Sequence, residues 1–304
     1  MPIPLEVDLA IGWDWEYDRD FIYMLDFECN NRGLQSYLIY PDNVDETVSK
    51  LLAGEITFKV FLDRASESNN KFIPLVKLLR KKGVPFVNDH ESSARANDKA
   101  IMHLEFLSSG LYVPYTIILS PYEDDPQLDI SNINTIGTPF IVKPANGGGG
   151  RGVVLGVKTP YDIVKAREKF SKDKYLIQEE IIPLIIKGRK TWFRSFYIYG
   201  KVILCWWDNL TGIYQGVTSR AERKYKLKEL KRITKKIYEI ARINFFSTEI
   251  VMTNAGSFVV VDYVNDICDM RLKSKAHDGV PDDVVRDIVR ELVDGVRRLI
   301  KMKK

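Results

Sequence analysis

Apolar positions in the first 90 residues follow two periods. Short apolar runs at Val7–Trp13, Ser36–Tyr40, Thr57–Leu62 and Pro85–Val87 read as buried strands. Between them, residues 17–32, 44–53 and 70–82 carry apolar side chains at three- and four-residue spacing, which predicts helices with one inward face. Two of these helices reach Gly33 and Gly83, where glycine makes a left-handed cap easy. Strand–helix–strand alternation at this spacing predicts a small parallel sheet with helices on its faces. Residues 92–109 read as one more helix, with Ser92 and Ser93 placed to cap it.

From Tyr115 the texture changes, and strands come in pairs. Phe140–Lys143 pairs with Val153–Val157, and Phe193–Tyr199 with Val202–Trp206 around a Tyr-Gly turn. Phe245–Met252 and Ser257–Val264 flank Asn254-Ala255-Gly256. Helices are predicted at 160–171 and 227–242, and from Pro281 to about 301. Pro281 followed by Asp282 and Asp283 is a helix start, since proline fits the first position and acids complement the dipole. The fold class predicted is α/β: a small N-terminal parallel α/β domain, then an α+β region of antiparallel hairpins.

The chain has 304 residues, long for one core, so two or three subdomains are expected. Hydrophobic residues are 45% and charged residues 28%, a balance that excludes a disordered chain. The net charge of +4 implies no nucleic-acid partner, while leaving room for local phosphate pockets. Apolar runs fall short of the ~20 residues that span a bilayer, and the N-terminus lacks the basic region of a signal peptide. Cys29, Cys205 and Cys268 are odd in number and widely spaced, which predicts reduced, mostly buried thiols in a cytoplasmic protein with no membrane partner.

The most informative window is FIVKPANGGGGRGVVLGV at 140–157. Four consecutive glycines add no packing and are costly to order. A floppy hairpin loop is one reading; the other is a cover over phosphates, with backbone N–H groups around an anion and Arg151 adding charge. Gly147, Gly149 and Gly152 match the G-x-G-x-x-G spacing, but that fingerprint opens a helix, and here a strand follows. No Gly-Lys-Ser/Thr ends the run, so it is not a P-loop. Lys143 closes the entering strand, and an unpaired lysine in an apolar strand is expensive, which favours a phosphate partner.

The last hairpin yields to spacing. If Asn254 and Ala255 form a two-residue turn, Glu249 faces Val260, and Asp262 lies diagonally on the same face. Such neighbours are roughly 7–8 Å apart, room for one Mg²⁺ between two carboxylates. Asp262 sits inside FVVVDYV, too apolar for an ordinary solvated face.

Taken in order, these elements resemble the ATP-grasp superfamily over roughly 90–270. The resemblance rests on ARANDKAIMHLEFLSSGLYVPYTIIL with Lys99, Gly110, Pro114 and Thr116, then VKP and the glycine loop. It continues through YLIQEEII at 175–182, WFRSFYIYGKVI at 192–203 and FFSTEIVMTNAGSFVVVDYVND at 245–266. Nearest are D-alanine–D-alanine ligases and the glutamate ligases that extend protein or peptide tails. This likeness implies a pre-ATP-grasp domain at 1–90 and an ATP-grasp domain at 91–304. The latter divides into a central subdomain at about 115–182, carrying the glycine-rich loop, and a C-terminal one at about 183–304.

The same resemblance implies an ATP- and Mg²⁺-dependent ligase, with Mn²⁺ as a substitute metal. It would join a carboxylate to an amine through an acylphosphate and release ADP and phosphate. Lys99, Lys143, Gly148, Gly149, Gly150 and Arg151 would hold phosphates, and Glu179, Glu180 and Ile182 the adenine. Glu249, Asp262 and Asn265 would hold the metal, Arg194 and Arg220 the transferred phosphate, and Arg271 and Lys273 an acidic substrate. Partners would be small-molecule or peptide carboxylates and amines, and a homodimer is compatible with the pattern.

Two departures stand out. The family's Glu-x-Asn is here Asp262-Tyr-Val-Asn265, one residue longer, so Asn265 reaches the metal only through a bulge or the strand's end, with Asp266 as substitute. Trp192 stands where an acid often binds the ribose hydroxyls. A small-molecule kinase on the same scaffold and a catalytically silent nucleotide-binding protein are the alternatives. His90, His103 and His277 have no spaced metal partners, and TSRAERKYK around Arg220 also fits an ordinary basic loop. Trp206-Trp207 fits packing or a pocket wall, and Trp13 and Trp15 follow a first strand, where an open α/β sheet places its ligand crevice.

Overall fold

The computed structural model describes residues 3–127, 133 and 135–302. The alternating N-terminal pattern folds as β1 (Leu5–Trp13), α1 (Arg19–Asn31), β2 (Ser36–Ile39), α2 (Val44–Ala53), β3 (Ile56–Arg64), α3 (Ile73–Lys81) and β4 (Phe86–Val87). The four strands are parallel in the order β2-β1-β3-β4. Gly33 and Gly83 follow α1 and α3 at φ 69° and 68°, the left-handed stops that the sequence predicts.

The single helix expected over 92–109 is instead two, α4 (His90–Asn97) and α5 (Lys99–Ser108). Asp98 is extended between them, and its carboxylate accepts from the backbone N–H groups of Ala100 (2.9 Å) and Ile101 (3.0 Å). Aspartate competes with helical hydrogen bonding in an interior but satisfies orphan donors at a start, so it divides the run. The start of α4 is likewise capped by Asp89, which accepts from Ser92 N at 3.0 Å, and not by Ser92 or Ser93.

A second layer holds β5 (Thr116–Leu119), β6 (Phe140–Pro144), β7 (Val154–Val157), α6 (Pro160–Glu168) and β8 (Tyr175–Glu179). Its strands are antiparallel in the order β5-β8-β6-β7. The rest comprises β9 (Ile185–Ile186), β10 (Arg189–Lys190), β11 (Trp192–Ile198), β12 (Lys201–Asp208) and β13 (Ile213–Gly216). It continues with α7 (Ser219–Lys224), α8 (Lys228–Ala241), β14 (Phe245–Met252), β15 (Phe258–Asn265) and α9 (Asp282–Met302). The large sheet runs β13-β12-β11-β14-β15.

Helix α9 ties the two ends of the chain. Its buried Ile288, Leu292 and Val296 share one core with Leu9 and Phe21 of the N-terminal layer and with Phe196 and Phe245 of the large sheet. On the other face of that sheet, α5 and α8 bury Phe106, Leu230 and Ile237. All three cysteines are free and buried, and among the described residues no helix is long and apolar enough to cross a membrane.

A polar latch reinforces this join. Arg64, at the end of β3 and only 4% exposed, donates to both carboxylate oxygens of Asp18 at 2.7 Å. A further N–H reaches the carbonyl of Cys268, just past β15, at 3.0 Å. Removing one partner of such a pair leaves an uncompensated buried charge. Asp18→Ala is therefore expected to cost about 3–5 kcal/mol in urea unfolding, and Asp18→Leu with Arg64→Met to recover most of it. A loss under about 1 kcal/mol for the single variant would contradict a latch.

Candidate active site

The β14–β15 hairpin departs from its expected register in a way that builds the site. Thr253 N donates to Ser257 O at 2.9 Å, so three residues, ending in Gly256 at φ 78°, make the turn. Ile250 then faces Val260. An irregularity follows that sets Asp262 directly opposite Glu249, not diagonal to it, and a second sets Asn265 opposite Ser247. Direct pairs sit roughly 4.5–5.5 Å apart, closer than the diagonal spacing expected. Asn265 thereby joins the pair through a bulge, its Nδ2 donating to Asp262 Oδ2 at 2.9 Å. Two carboxylates and an amide form an all-oxygen donor set, which fits a hard divalent cation.

Around these acids stand two cations, Lys143 buried and Arg194 partly so. Arg194 on β11 pairs with Glu249, and Trp192 Nε1 donates to the other carboxylate oxygen at 2.9 Å. Trp192, where a ribose-binding acid is expected, thus orients Glu249. Lys143 is 6% exposed, donates to Val261 O at 3.0 Å and lies 5.1 Å from the Tyr263 ring centre. Burial pushes its pKa down to about 8, against the pull of Asp262. Burial also pushes the Glu249 carboxyl up, more than Arg194 restores. Asp262 is held below the ordinary carboxylate range because Lys143, Lys99 and Arg194 outweigh the effect of its burial.

Behind Lys143 the Tyr263 hydroxyl accepts from Gln178 Nε2 at 2.7 Å and lies 2.7 Å from His103 Nδ1. Burial pushes His103 down to about 4, so it is a neutral core residue at ordinary pH. Gln178 opens the hinge read from the sequence and Tyr263 adjoins Asp262, but their pairing was not legible there, because β8 is buried on both faces and β15 breaks its alternation beside Asp262.

The glycine loop is a defined shape. Gly147, Gly149, Gly150 and Gly152 take φ values of 93°, 63°, 71° and 82°, which other residues rarely adopt. Lys99, first residue of α5, donates from Nζ to Gly147 O at 2.6 Å. Arg151 lies over the Phe170 ring at 5.5 Å.

Under this loop a cavity of about 590 Å³ gathers Lys99, Lys143, Gly148–Gly150 and Arg151. Its far wall is Glu179, Glu180 and Ile182, and its floor Glu249, Asp262 and Asn265. A second cavity, of about 820 Å³, shares Lys99, the glycines and the three oxygen donors, then extends past Arg194, Trp207 and Arg271 to Trp15 and Arg64. Arg271 is already bound by Asp269 and Asp278, at 2.7 and 2.8 Å. Arg220 stands exposed on α7, and Lys273 donates to His277 O at 2.9 Å; neither lines these two cavities.

Loop glycines differ in what they tolerate. A Cβ on Gly152 would meet the Phe170 ring at 2.5 Å, whereas one on Gly148 meets nothing within 4 Å. Gly152→Ala is expected to cost about 1–3 kcal/mol in urea unfolding and to speed proteolysis of the loop. Gly148→Ala is expected to stay within about 0.5 kcal/mol. Equal effects would mean that the loop has no fixed shape.

No family model and no curated protein matches the chain. Solved structures do. D-alanine–D-alanine ligase from Bacillus anthracis complexed with ATP superposes at TM-score 0.66 and 15% identity, covering 99% of each chain. The ATP-grasp ligase PsnB complexed with minimal precursor, Mg and ADP gives 0.63 and 14%, over 98% of this chain and 99% of that one. The RimK domain protein ATP-grasp from Sphaerobacter thermophilus DSM 20745 gives 0.64 and 19%, over 95% and 99%. With the strand order, the glycine loop between β6 and β7 and near full-length superposition on these ligases, the chain has the ATP-grasp fold.

Proposed function

We propose that the protein is an ATP- and Mg²⁺-dependent ligase that joins a carboxylate to an amine through an acylphosphate, releasing ADP and phosphate. The observation that carries this reading is the junction of two cavities at one charged wall, Lys99, Glu249, Asp262 and Asn265. A nucleotide in the first would direct its terminal phosphate at a substrate in the second.

Each part has a physical basis. Strand β8 ends at Glu179, whose N–H donates to Tyr115 O at 3.0 Å and whose carboxylate accepts from Tyr115 N at 2.8 Å. Past that end, the backbone from Glu180 to Ile182, with Ile182 71% exposed, would meet the adenine. Lys99, Lys143, Arg151 and the N–H groups of Gly148–Gly150 would bind the phosphates as charges and dipoles. Glu249, Asp262 and Asn265 would hold Mg²⁺ or Mn²⁺, which when bound neutralises phosphate charge. Arg194 would keep Glu249 in place and offer its charge to the transferred group. The remaining contribution is positioning and electrostatic stabilisation, which needs no covalent protein nucleophile.

Arg271, tied to two carboxylates, would act as a fixed wall for the substrate and not as a free cation for an acidic one. PsnB is complexed with a precursor peptide, which supports a peptide as one substrate.

Incubation with Mg·ATP, candidate acids and hydroxylamine is expected to yield ADP and a hydroxamate. Glu249→Gln or Asp262→Asn should lower that yield by roughly a hundredfold or more. AMP and pyrophosphate would count against the ligase, and a stable phosphorylated product without an amine would favour a kinase.

A further inference from the structure

The end of β1 and the segment after it form a wall between two cavities. Trp15 and Asp18 line the 820 Å³ cavity, whereas Trp13, Asp14, Glu16 and Tyr17 line a separate open groove of about 800 Å³. That groove lies at the carboxyl ends of β1 and β2 and is completed by Tyr23, Tyr40 and Asp42. It shares no lining residue with the two cavities of the candidate active site.

Its composition is unusual for a free surface. Tyr17, Tyr23 and Tyr40 are 57%, 48% and 40% exposed, and Trp13 packs edge-on against Tyr23 at 6.4 Å. Trp13 Nε1 is buried with no partner among the described residues. Scattered exposed aromatics need no explanation, but four rings lining one concavity do. Among the described residues none of Asp14, Glu16 and Asp42 forms an ion pair, and the groove's lining holds three carboxylates and one cation, Arg19; the Lys71 ammonium on Pro41 O at its edge is paired with Asp45. That guanidinium lies 5.9 Å from the Tyr23 ring centre, a cation on an aromatic face within the groove itself.

Ring faces attract cations through their quadrupole, and unpaired carboxylates around them add long-range attraction for the same charge. An acidic or purely apolar segment would leave the carboxylates uncompensated. We propose that this groove binds a lysine-bearing peptide segment, with ammonium groups over Tyr17 and Tyr40 and beside Asp14, Glu16 and Asp42. Occupancy of the groove needs no catalysis, so peptide binding stands or falls apart from the ligase reading.

Calorimetric titration of the full chain, without nucleotide, compares a blocked Lys-Gly-Lys-Gly-Lys peptide with its glutamate counterpart. The lysine peptide is expected to saturate, with affinity falling as salt is added, and the glutamate peptide to show no saturation. Tyr17→Ala and Tyr40→Ala should each weaken binding about twofold to fivefold, and Asp42→Lys roughly tenfold. These side chains are exposed, and an unchanged thermal midpoint verifies folding of each variant. Equal binding of the two peptides, no saturation by the lysine peptide, or wild-type affinity in all three variants would overturn the assignment.

Discussion

Four ionisable side chains, Lys143, Arg194, Glu249 and Asp262, meet in a nearly buried cluster where the glycine-loop sheet faces the large sheet. Each would be costly there alone, and together two positive and two negative charges offset one another. This mutual dependence constrains everything nearby. Lys143 must come from the end of β6, Arg194 from β11, and the two acids from a hairpin whose irregular register sets them face to face. The pairing remains imperfect: Lys143 is drawn toward its neutral form and Glu249 toward protonation, while Asp262 keeps its charge. A cluster left in that state would suit further ions of both signs, which on the proposed ligase reading are phosphate oxygens and a divalent metal.

The surroundings hold the cluster without closing it. Asp98 ends one helix and begins the next, which places Lys99 against the glycine loop. The loop keeps a definite shape in which Gly147, Gly149, Gly150 and Gly152 occupy left-handed conformations. Arg64 and Asp18 bring the N-terminal sheet against the segment that follows β15, so the larger cavity has walls from both ends of the chain.

Long periodic elements were legible in the chain: α2 runs over 44–53 as its spacing predicts, and three hairpins pair as their apolar runs imply. The glycine loop was legible because nothing structural favours four glycines in a row, and Lys143 because its apolar strand makes a lone charge expensive. Short polar elements such as β13 and α7 carry too few apolar positions for a period to show. The break at Asp98 was missed because the helical period continues through it. Bulges are invisible to alternation, which assumes one residue per step, so the face-to-face placement of Glu249 and Asp262 emerged only in the structure. The neutralisation of Arg271 depends on Asp278, which a tertiary turn brings back beside it.

In the proposed function Lys143 would meet a nucleotide phosphate as a cation. Burial pushes the Lys143 pKa down to about 8, so below that value the ammonium is already in place, and above it binding must first take up a proton. Calorimetric affinity for Mg·AMPPNP, followed from neutral pH upward, should be level below about 8 and then fall roughly tenfold per pH unit in the wild type. Lys143→Met should bind more weakly at neutral pH and lack that break. An alkaline break of the same size in the variant, or none in either protein, would contradict the account.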